Sequence, residues 1–278
     1  MEFRLYIDGV DAYDAYRLSV SDGGYKDFAC FPKLKEVAYN DWHEQNGIDP
    51  DLSEPKLDAR EITVGFHIVG SLRRYYELMR VLSDGAYHLF DFVEIGLEIK
   101  LRLSNSGKVK STGNLHAFTL TFIDDFPLEG YDYDGPTTAL IPRYDYLVDG
   151  RDISDYGVRV LQGTFDEIIK QPDVKENLKI NMNHLSGQSY DGKNVTYKSR
   201  TVALKCFMRG RNLMEFWRNW KAFLYDLTRP DSRVLKVTML NKDIPFYYKD
   251  CLVDSFHPDK GKIWFEFTLN VEFYKGVI

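Results

Sequence analysis

The sequence repeats itself, because the same order of apolar runs, turns and glycines occurs twice, about 140 residues apart. The apolar run Leu5–Ile7 meets Asp8-Gly9, and the run Tyr146–Val148 meets Asp149-Gly150. An apolar run that ends at Asp-Gly is typical of a strand that enters a tight hairpin turn. The repeat therefore predicts two copies of one domain within the chain.

Each copy continues with a second alternating strand, a long strand that ends on glycine, and one amphipathic helix. In the order of the chain, these segments are residues 16–20, 60–70 and 72–82 in the first copy, and 156–160, 200–210 and 213–227 in the second. Apolar residues recur at helical spacing at five corresponding positions, Leu72, Tyr75, Tyr76, Met79 and Leu82, then Leu213, Phe216, Trp217, Trp220 and Phe223. Ser71 and Asn212 stand where N-caps are expected, and both copies close on Phe-Thr-Leu inside an alternating strand.

The boundary between the copies is marked by residues that break helices and strands. Pro127, Gly130, Gly135, Pro136 and Pro142 crowd the stretch between the last strand of copy one and the first of copy two. This predicts domains at 1–135 and 143–278, joined by a short linker. The fold class is mainly β (α+β), with each domain a small split β-barrel or sandwich that carries a long hairpin and one amphipathic helix.

The long hairpin is predicted between the second strand and the long strand of each copy. It covers residues 23–59 and 163–199, which is longer than an ordinary loop, and Asn46-Gly47 and Gly187 can form sharp turns within it. A disordered surface excursion is the alternative. Trp42 lies in the first of these segments and is the one tryptophan predicted to be exposed.

The sequence offers no constellation for catalysis, metal binding or nucleotide binding. The six histidines are scattered, no glycine-rich phosphate loop or nucleophile elbow occurs, and the acidic runs at 49–54 and 132–135 lack the spacing of a calcium loop. Cys30, Cys206 and Cys251 form no metal motif and are expected to be reduced. We expect no enzymatic activity, no cofactor and no metal. No apolar run approaches the ~20 residues of a membrane span, so we expect no membrane insertion, and the N-terminus lacks the pattern of a secretion signal.

Charge differs between the copies. Residues 1–142 carry 24 Asp and Glu against 14 Lys and Arg, a net charge of −10, whereas residues 143–278 carry 18 against 22, a net charge of +4. Drift on two solvated surfaces would explain the difference. Alternatively, an acidic copy of one chain docks beside a basic copy of the next, since opposite potentials steer assembly.

The order of elements resembles the tail-tube fold of bacteriophage tails and related injection machines. The second copy is more similar than the first, and it resembles the N-terminal domain of phage distal tail proteins. The residues that carry this resemblance are Val148–Gly150, Tyr156–Val158, the turn at 190–193, Arg200–Gly210 and the helix at 213–227. The first copy departs from the pattern, with Ala15–Arg17 in place of Tyr156-Gly157 and a more acidic hairpin.

The resemblance implies a structural role in a phage or prophage tail, as a distal tail or hub-like adaptor that forms a ring around the DNA channel. Such domains associate side by side, and two domains per chain imply a trimeric ring with pseudo-sixfold symmetry, with a hexamer as the alternative. The implied partners are other copies of the chain and the neighbouring tail tube and baseplate proteins, with DNA only as passing cargo. The implied location is the virion tail, assembled in the bacterial cytoplasm. Arg200, Arg209 and Arg218 are predicted to support an intersubunit face.

Two other functions remain open at this point. Aromatic residues make up 15% of the chain, and the exposed Trp42 would suit a carbohydrate-binding or adhesin module of a tail or cell-surface apparatus. The other is a glycan-processing enzyme, in which two carboxylates distant in sequence would meet in the fold.

Overall fold

The computed structural model describes residues 4–137, 145–176, 179–190, 192, 195–259 and 262–276. Pro142, the predicted start of the second domain at residue 143, and residues 191 and 193 of the predicted turn at 190–193 lie outside the described residues.

The first half of the chain, residues 4–137, forms strands with three short helical segments. The strands are β1 Leu5–Ile7, β2 Val10–Asp11, β3 Leu18–Val20, β4 Tyr39–Asn40, β5 Asp49–Pro50, β6 Arg60–Val69, β7 His88–Phe92, β8 Leu97–Ser106, β9 Lys110–Thr112 and β10 Leu115–Asp124. The helices are α1 Ala12–Tyr16, the 3-10 helix Lys26–Ala29 and α2 Arg73–Leu82.

The second half, from residue 145 onward, repeats this order with a longer last helix and, among the described residues, without a counterpart of β9. The strands are β11 Tyr146–Val148, β12 Arg151–Asp152, β13 Val158–Val160, β14 Lys179–Asn181, β15 Gln188–Tyr190, β16 Arg200–Gly210, β17 Arg233–Val237, β18 Lys242–Asp259 and β19 Lys262–Phe273. The helices are the 3-10 helix Ile153–Tyr156, α3 Thr164–Ile169 and α4 Leu213–Leu227.

The main sheets of the two halves have the same strand order. The first runs β2-β1-β7-β8-β10-β6-β3, with β9 paired to β10, and the second runs β12-β11-β17-β18-β19-β16-β13. Neighbouring strands in both are antiparallel. The prediction of a mainly β fold with a few helices is therefore confirmed.

The first turn of each half has the predicted geometry. Asp8 and Gly9 have φ of 50° and 78°, and Asp149 and Gly150 have φ of 50° and 80°. Positive φ at both central residues defines the two-residue hairpin turn that Asp-Gly favours. The Asp-Gly pairs thus place β2 beside β1 and β12 beside β11.

Two local predictions are wrong. Tyr16 and Tyr156 were expected in strands, but Tyr16 ends α1 and Tyr156 ends a 3-10 helix. The cause is the preceding aspartate, because the side chains of Asp11 and Asp152 accept hydrogen bonds from backbone N–H groups two residues further on and start a helical turn. Ser71 is not the N-cap of α2. The N-cap residue is Leu72, and its side chain makes no capping hydrogen bond. Asn212 caps α4 as predicted, with its side chain accepting from the Glu215 N–H at 2.8 Å.

Each sheet buries one face, and the two buried faces meet the same core. Alternate residues of β6 and β16 are buried, as the period of a half-buried strand requires. The buried apolar residues of both halves form one contiguous cluster, which includes Phe31 from the first half and Trp220 from the second. The halves therefore share packing, rather than meeting only through a linker.

Candidate assembly surfaces

Three of the contacts between the halves are hydrogen bonds to the backbone of Ala29, Leu34 and Ile95 in the first half. Trp217 of α4 donates its indole N–H to the carbonyl of Ile95 at 2.6 Å, and Trp220 donates to the carbonyl of Ala29 at 2.8 Å. The backbone N–H of Leu34 donates to the carbonyl of Lys249 in β18 at 2.8 Å. We call these three contacts the internal interface. Each satisfies a polar group that the packing removes from water.

Aromatic packing surrounds these hydrogen bonds. Phe31 stacks on Trp220 with ring centroids 4.8 Å apart, and the Tyr248 hydroxyl donates to the carbonyl of Pro32 at 2.8 Å. Trp217 and Trp220 are 6% and 5% exposed. The sequence predicts both tryptophans as core residues on the apolar face of the helix, and their burial confirms this; the structure adds that both donate to the other half. The available signal was that α4 is apolar over more than one face, which is typical of a helix buried on several sides.

The predicted hairpin of the first half, residues 23–59, crosses to the second half, and we call it the first arm. At its tip the Gly47 N–H donates to the carbonyl of Tyr197 at 2.7 Å, and the Ile48 N–H donates to the carbonyl of Tyr274 at 2.8 Å. Lys175, only 4% exposed, donates to the carbonyl of Gly47 at 2.6 Å and to the Asp41 carboxylate at 2.5 Å. The first arm is thus held by backbone and charge contacts.

Trp42 lies on the first arm and is 52% exposed. Its carbonyl accepts from the Lys175 ammonium at 2.9 Å, so its backbone is fixed while its ring faces solvent. No signal in the sequence identified Lys175, whose partners are more than 120 residues away in the chain.

The three predicted arginines do not lie together. Arg200 and Arg209 are nine residues apart on β16, so they point to opposite faces of the sheet. The Arg200 guanidinium donates to the carbonyls of Glu167 and Ile168 and lies over the Phe273 ring, and burial lowers its pKa. Of the three arginines, only Arg209 is exposed.

Arg218 of α4 holds the segment that connects the halves. It donates to the carbonyl of Gly135 at 3.0 Å and forms an ion pair with the Asp134 carboxylate at 3.1 Å. Nearby, the Thr137 N–H donates to the Asn219 side chain at 2.8 Å. Arg218 therefore has a structural role within the chain, and a role for the three arginines in contacts between chains stays a prediction.

Asp226, near the end of α4, is a second anchor for this connecting segment. Its carboxylate accepts from the hydroxyls of Tyr156 at 2.5 Å and Tyr133 at 2.7 Å, and it pairs with Arg151 at 3.2 Å. Burial and the hydrogen bond to Asp226 raise the pKa of Tyr156, which keeps its hydroxyl protonated as a donor. The contacts link α4, β12 and the connecting segment.

A cleft of about 680 Å³ lies between this connecting segment, β8 and α4. Its lining includes the buried ion pair of Arg60 and Asp124, with the charged groups 2.8 Å apart, and Trp217, Trp220 and Lys100. Within the described residues, no group of three or more His, Cys, Asp or Glu side chains is placed to hold a metal ion. The helices of the described part of the chain include none that is long and apolar enough to cross a membrane.

No protein-family model matches the chain, and no curated protein matches it. Among solved structures, the chain is similar to the Dit (gp 19.1) protein of phage SPP1, whose crystal structure is presented as a paradigm of the hub adsorption apparatus in phages that infect Gram-positive bacteria. The two chains are 11% identical, the alignment covers 98% of each, and the TM-score is 0.34.

Proposed function

We propose that this chain is a structural component of a phage or prophage tail, a distal tail or hub-like adaptor that assembles into a ring around the DNA channel. The observation that carries the proposal is the equal strand order of the two main sheets. It supports two tandem copies of one domain, at 1–135 and 143–278, which matches the repeat in the sequence. The motif pattern of the second copy resembles that of distal tail proteins, and this resemblance supports a role in a phage tail.

A ring is a physical solution for domains of this kind. Each main sheet is open and ends on edge strands, which are β2 and β3 in the first half and β12 and β13 in the second. Open edges favour pairing with other chains unless they are covered, and repeated head-to-tail docking around a closed ring covers them. Two such domains per chain favour a trimer with pseudo-sixfold symmetry over a hexamer.

Charge is consistent with the same assembly. The first copy has a net charge of −10 and the second of +4, so alternating copies around a ring attract at every junction. A channel that passes DNA works best without strong positive charge, since phosphate binding would retain the polymer. The overall net charge of −6 agrees with a passive channel.

The test is the assembly state of the purified full-length chain at high concentration. We expect annular particles by negative-stain electron microscopy, with the mass of three chains by light scattering. A mass of six chains would replace the trimer with a hexamer. A chain that stays monomeric at every concentration, and also in the presence of its neighbouring tail proteins, would contradict the ring.

The exposed ring of Trp42 favours a second candidate, a carbohydrate-binding module of a tail or cell-surface apparatus. An exposed tryptophan on a fixed backbone can stack on a sugar face. Glycan-array binding that is lost in Trp42→Ala, with Tyr39→Ala as the control because Tyr39 is also on the first arm and 56% exposed, would support this function. Equal binding by all three proteins would exclude Trp42 as the binding residue.

A further inference from the structure

The second half has residues that correspond to the internal interface of the first half, and within the described part of the chain they are not covered in the same way. Its contacts are made by the backbone of Ala29, Leu34 and Ile95 in the first half. Because the two halves share their strand order, each of these positions has an equivalent in the second half. Three local features establish which residues are equivalent.

The first feature is the turn that contains Ile95. The Ile95 N–H donates to the Phe92 carbonyl at 3.1 Å, and the Leu240 N–H donates to the Val237 carbonyl at 2.9 Å. Phe92 is the last residue of β7, and Val237 is the last residue of β17. Leu240 is therefore the equivalent of Ile95, and Met239 precedes it in the same turn.

The second feature is the bridge at the base of each arm. Leu34 pairs with Leu57 in the first arm, and Val174 pairs with Tyr197 in the corresponding segment of the second half, residues 163–199. Both pairs are separated by the same number of residues and precede the long strands β6 and β16 by the same distance, so Val174 is the equivalent of Leu34. The same register makes Ile169 the equivalent of Ala29.

These equivalent residues differ in exposure. Ala29, Leu34 and Ile95 are 0%, 5% and 0% exposed. In the second half, Ile169 and Val174 are each 42% exposed. Leu240 is partly buried and packs against the core, whereas its neighbour Met239 in the same turn is 76% exposed. We call Ile169, Val174 and the Met239-Leu240 turn the donor surface, a name that refers to docking between chains and not to hydrogen bonds. It is an exposed apolar patch, and its residues correspond to those of the first half that the second half covers in the internal interface.

The third feature lies on the receiving side, where Lys249 accepts the Leu34 N–H. Lys249 is the extra residue of a bulge in β18, between Tyr248 and Asp250. Ser104 is the extra residue of a bulge in β8, between Leu103 and Asn105. A bulge leaves its extra residue out of the ladder. Both bulges lie opposite the two residues that directly follow Phe-Thr-Leu, Thr121-Phe122 in β10 and Asn270-Val271 in β19, so Ser104 is the first-half equivalent of Lys249.

The helix of the first half is exposed at the position that corresponds to Trp217. Tyr76 of α2 occupies the position that Trp217 occupies in α4, and Tyr76 is 63% exposed whereas Trp217 is 6% exposed. Like an indole, a tyrosine hydroxyl can donate to a backbone carbonyl. We call Tyr76 and the Ser104 bulge the acceptor surface.

We propose that the donor surface of one chain docks on the acceptor surface of a second copy of the same chain, and so repeats the internal interface between molecules. Tyr76 then covers the turn at Met239-Leu240, and the Ser104 carbonyl accepts from the Val174 N–H. The proposal rests on the ring assembly above and names the residues that form its contact between chains.

The contact is heterologous, since the two surfaces differ, so each chain donates to one neighbour and accepts from another. Such contacts close into a ring or extend into a filament. Because the internal and external interfaces would be equivalent, successive halves would be related by nearly the same rotation. The donor half carries a net charge of +4 and the acceptor half −10, which favours this pairing over contacts between like halves.

The first experiment mixes two variants that each add one cysteine, Tyr76→Cys and Met239→Cys, and treats them with a short bismaleimide. We expect covalent dimers on a denaturing gel from the mixture, and neither variant alone should form them. Met214→Cys replaces Met239→Cys in the control, because Met214 is 80% exposed but lies outside both surfaces. The native chain controls for Cys30, Cys206 and Cys251.

The second experiment compares the variants Met239→Glu and Met214→Glu. A carboxylate in the docked apolar turn should weaken self-association by about tenfold or more, since burying an unpaired charge is costly. Met214→Glu should assemble like the native chain. Circular dichroism checks that both variants remain folded.

The outcomes separate the contact from the ring. Rings that form without cross-linking and survive Met239→Glu would overturn this contact and leave the proposed function standing. Cross-linked dimers without rings would support the contact and contradict the ring. Neither dimers nor rings at high concentration would contradict both.

Discussion

At the residue scale, the two Asp-Gly turns are held in the same way by different cations. Asp149 accepts from the Val234 N–H and pairs with Arg233 at 2.7 Å. Asp8 accepts from the Leu89 N–H at 2.8 Å, and the Nδ1 of His88 lies 2.6 Å from its carboxylate. The permanent charge of the second half is thus replaced by a titratable imidazole in the first.

His88 makes the stability of the first half depend on pH. Burial disfavours the imidazolium, but the hydrogen bonds and charges of Asp8 and Asp84 outweigh it and raise the pKa of His88 above its ordinary value of 6.5. A raised pKa in the folded state means that the stabilisation is fully present below 6.5 and is lost as pH rises through the folded pKa. We expect the free energy of unfolding in urea to fall as pH increases from 6 through that folded pKa.

The variant His88→Asn tests the assignment. An uncharged side chain cannot titrate, so the pH dependence above 6 should disappear, and loss of the charged hydrogen bonds should cost about 1–3 kcal/mol at pH 6. If His88→Asn keeps the pH dependence of the native chain, another group is responsible.

At the scale of elements, the helices α2 and α4 show how similar sequences reach different burial. Leu78 and Leu82 are the buried residues of α2, whereas α4 buries nine of its side chains. The difference comes from the first arm and the Ile95 turn, which cover α4. A helix face is apolar by sequence, but its burial depends on what lies opposite.

The indole of Trp217 should contribute to stability, and the hydroxyl of Tyr76 should not. In Trp217→Phe the buried carbonyl of Ile95 loses its donor, so we expect the free energy of unfolding of the isolated chain to fall by about 1–3 kcal/mol. The matched change Tyr76→Phe, at the corresponding exposed position, should alter it by less than about 0.5 kcal/mol. Urea denaturation of both variants measures this, and equal effects would contradict the internal interface.

The tip of the first arm depends on a glycine. Gly47 has φ of 71°, and a Cβ built there would lie 1.7 Å from the Tyr274 carbonyl oxygen. Gly47→Ala must displace the arm and its hydrogen bonds, so we expect a loss of about 3 kcal/mol or more. Gly85→Ala is the control, because Gly85 has φ of 80° with nothing within 4 Å of the added carbon, so only the backbone cost of about 1–2 kcal/mol should appear. Similar losses in both variants would show that the arm does not close on the second half.

At the scale of the whole molecule, the shared core predicts that the halves unfold together. The cluster of buried residues spans both halves, and the tryptophans of α4 donate across the interface. Elements that share buried contacts of this kind unfold as one cooperative unit. We expect a single urea transition in which tryptophan fluorescence and far-UV circular dichroism coincide.

Separating the halves should expose the internal interface. The fragment 143–278 would present Trp217 and Trp220 to water, and we expect it to aggregate or to be less stable than the same residues in the full chain. Two separate transitions in the full chain, together with a stable soluble fragment, would contradict this coupling.

The sequence by itself determined the local elements and their order. The Asp-Gly turns, the period-2 strands β6 and β16 and the Asn212 cap follow from backbone preferences and side-chain periods, which act over a few residues. Where these signals were short, as at Tyr16 and Tyr156, a three-residue alternation did not outweigh the helical turn that a preceding Asp side chain starts. Only the tertiary structure decided that Trp217 donates to the other half and that Tyr76 is exposed, and that Arg200 and Arg218 bind within the chain. Burial and pairing depend on groups more than 30 residues away for Arg200 and more than 80 for Arg218, so no local pattern contains them.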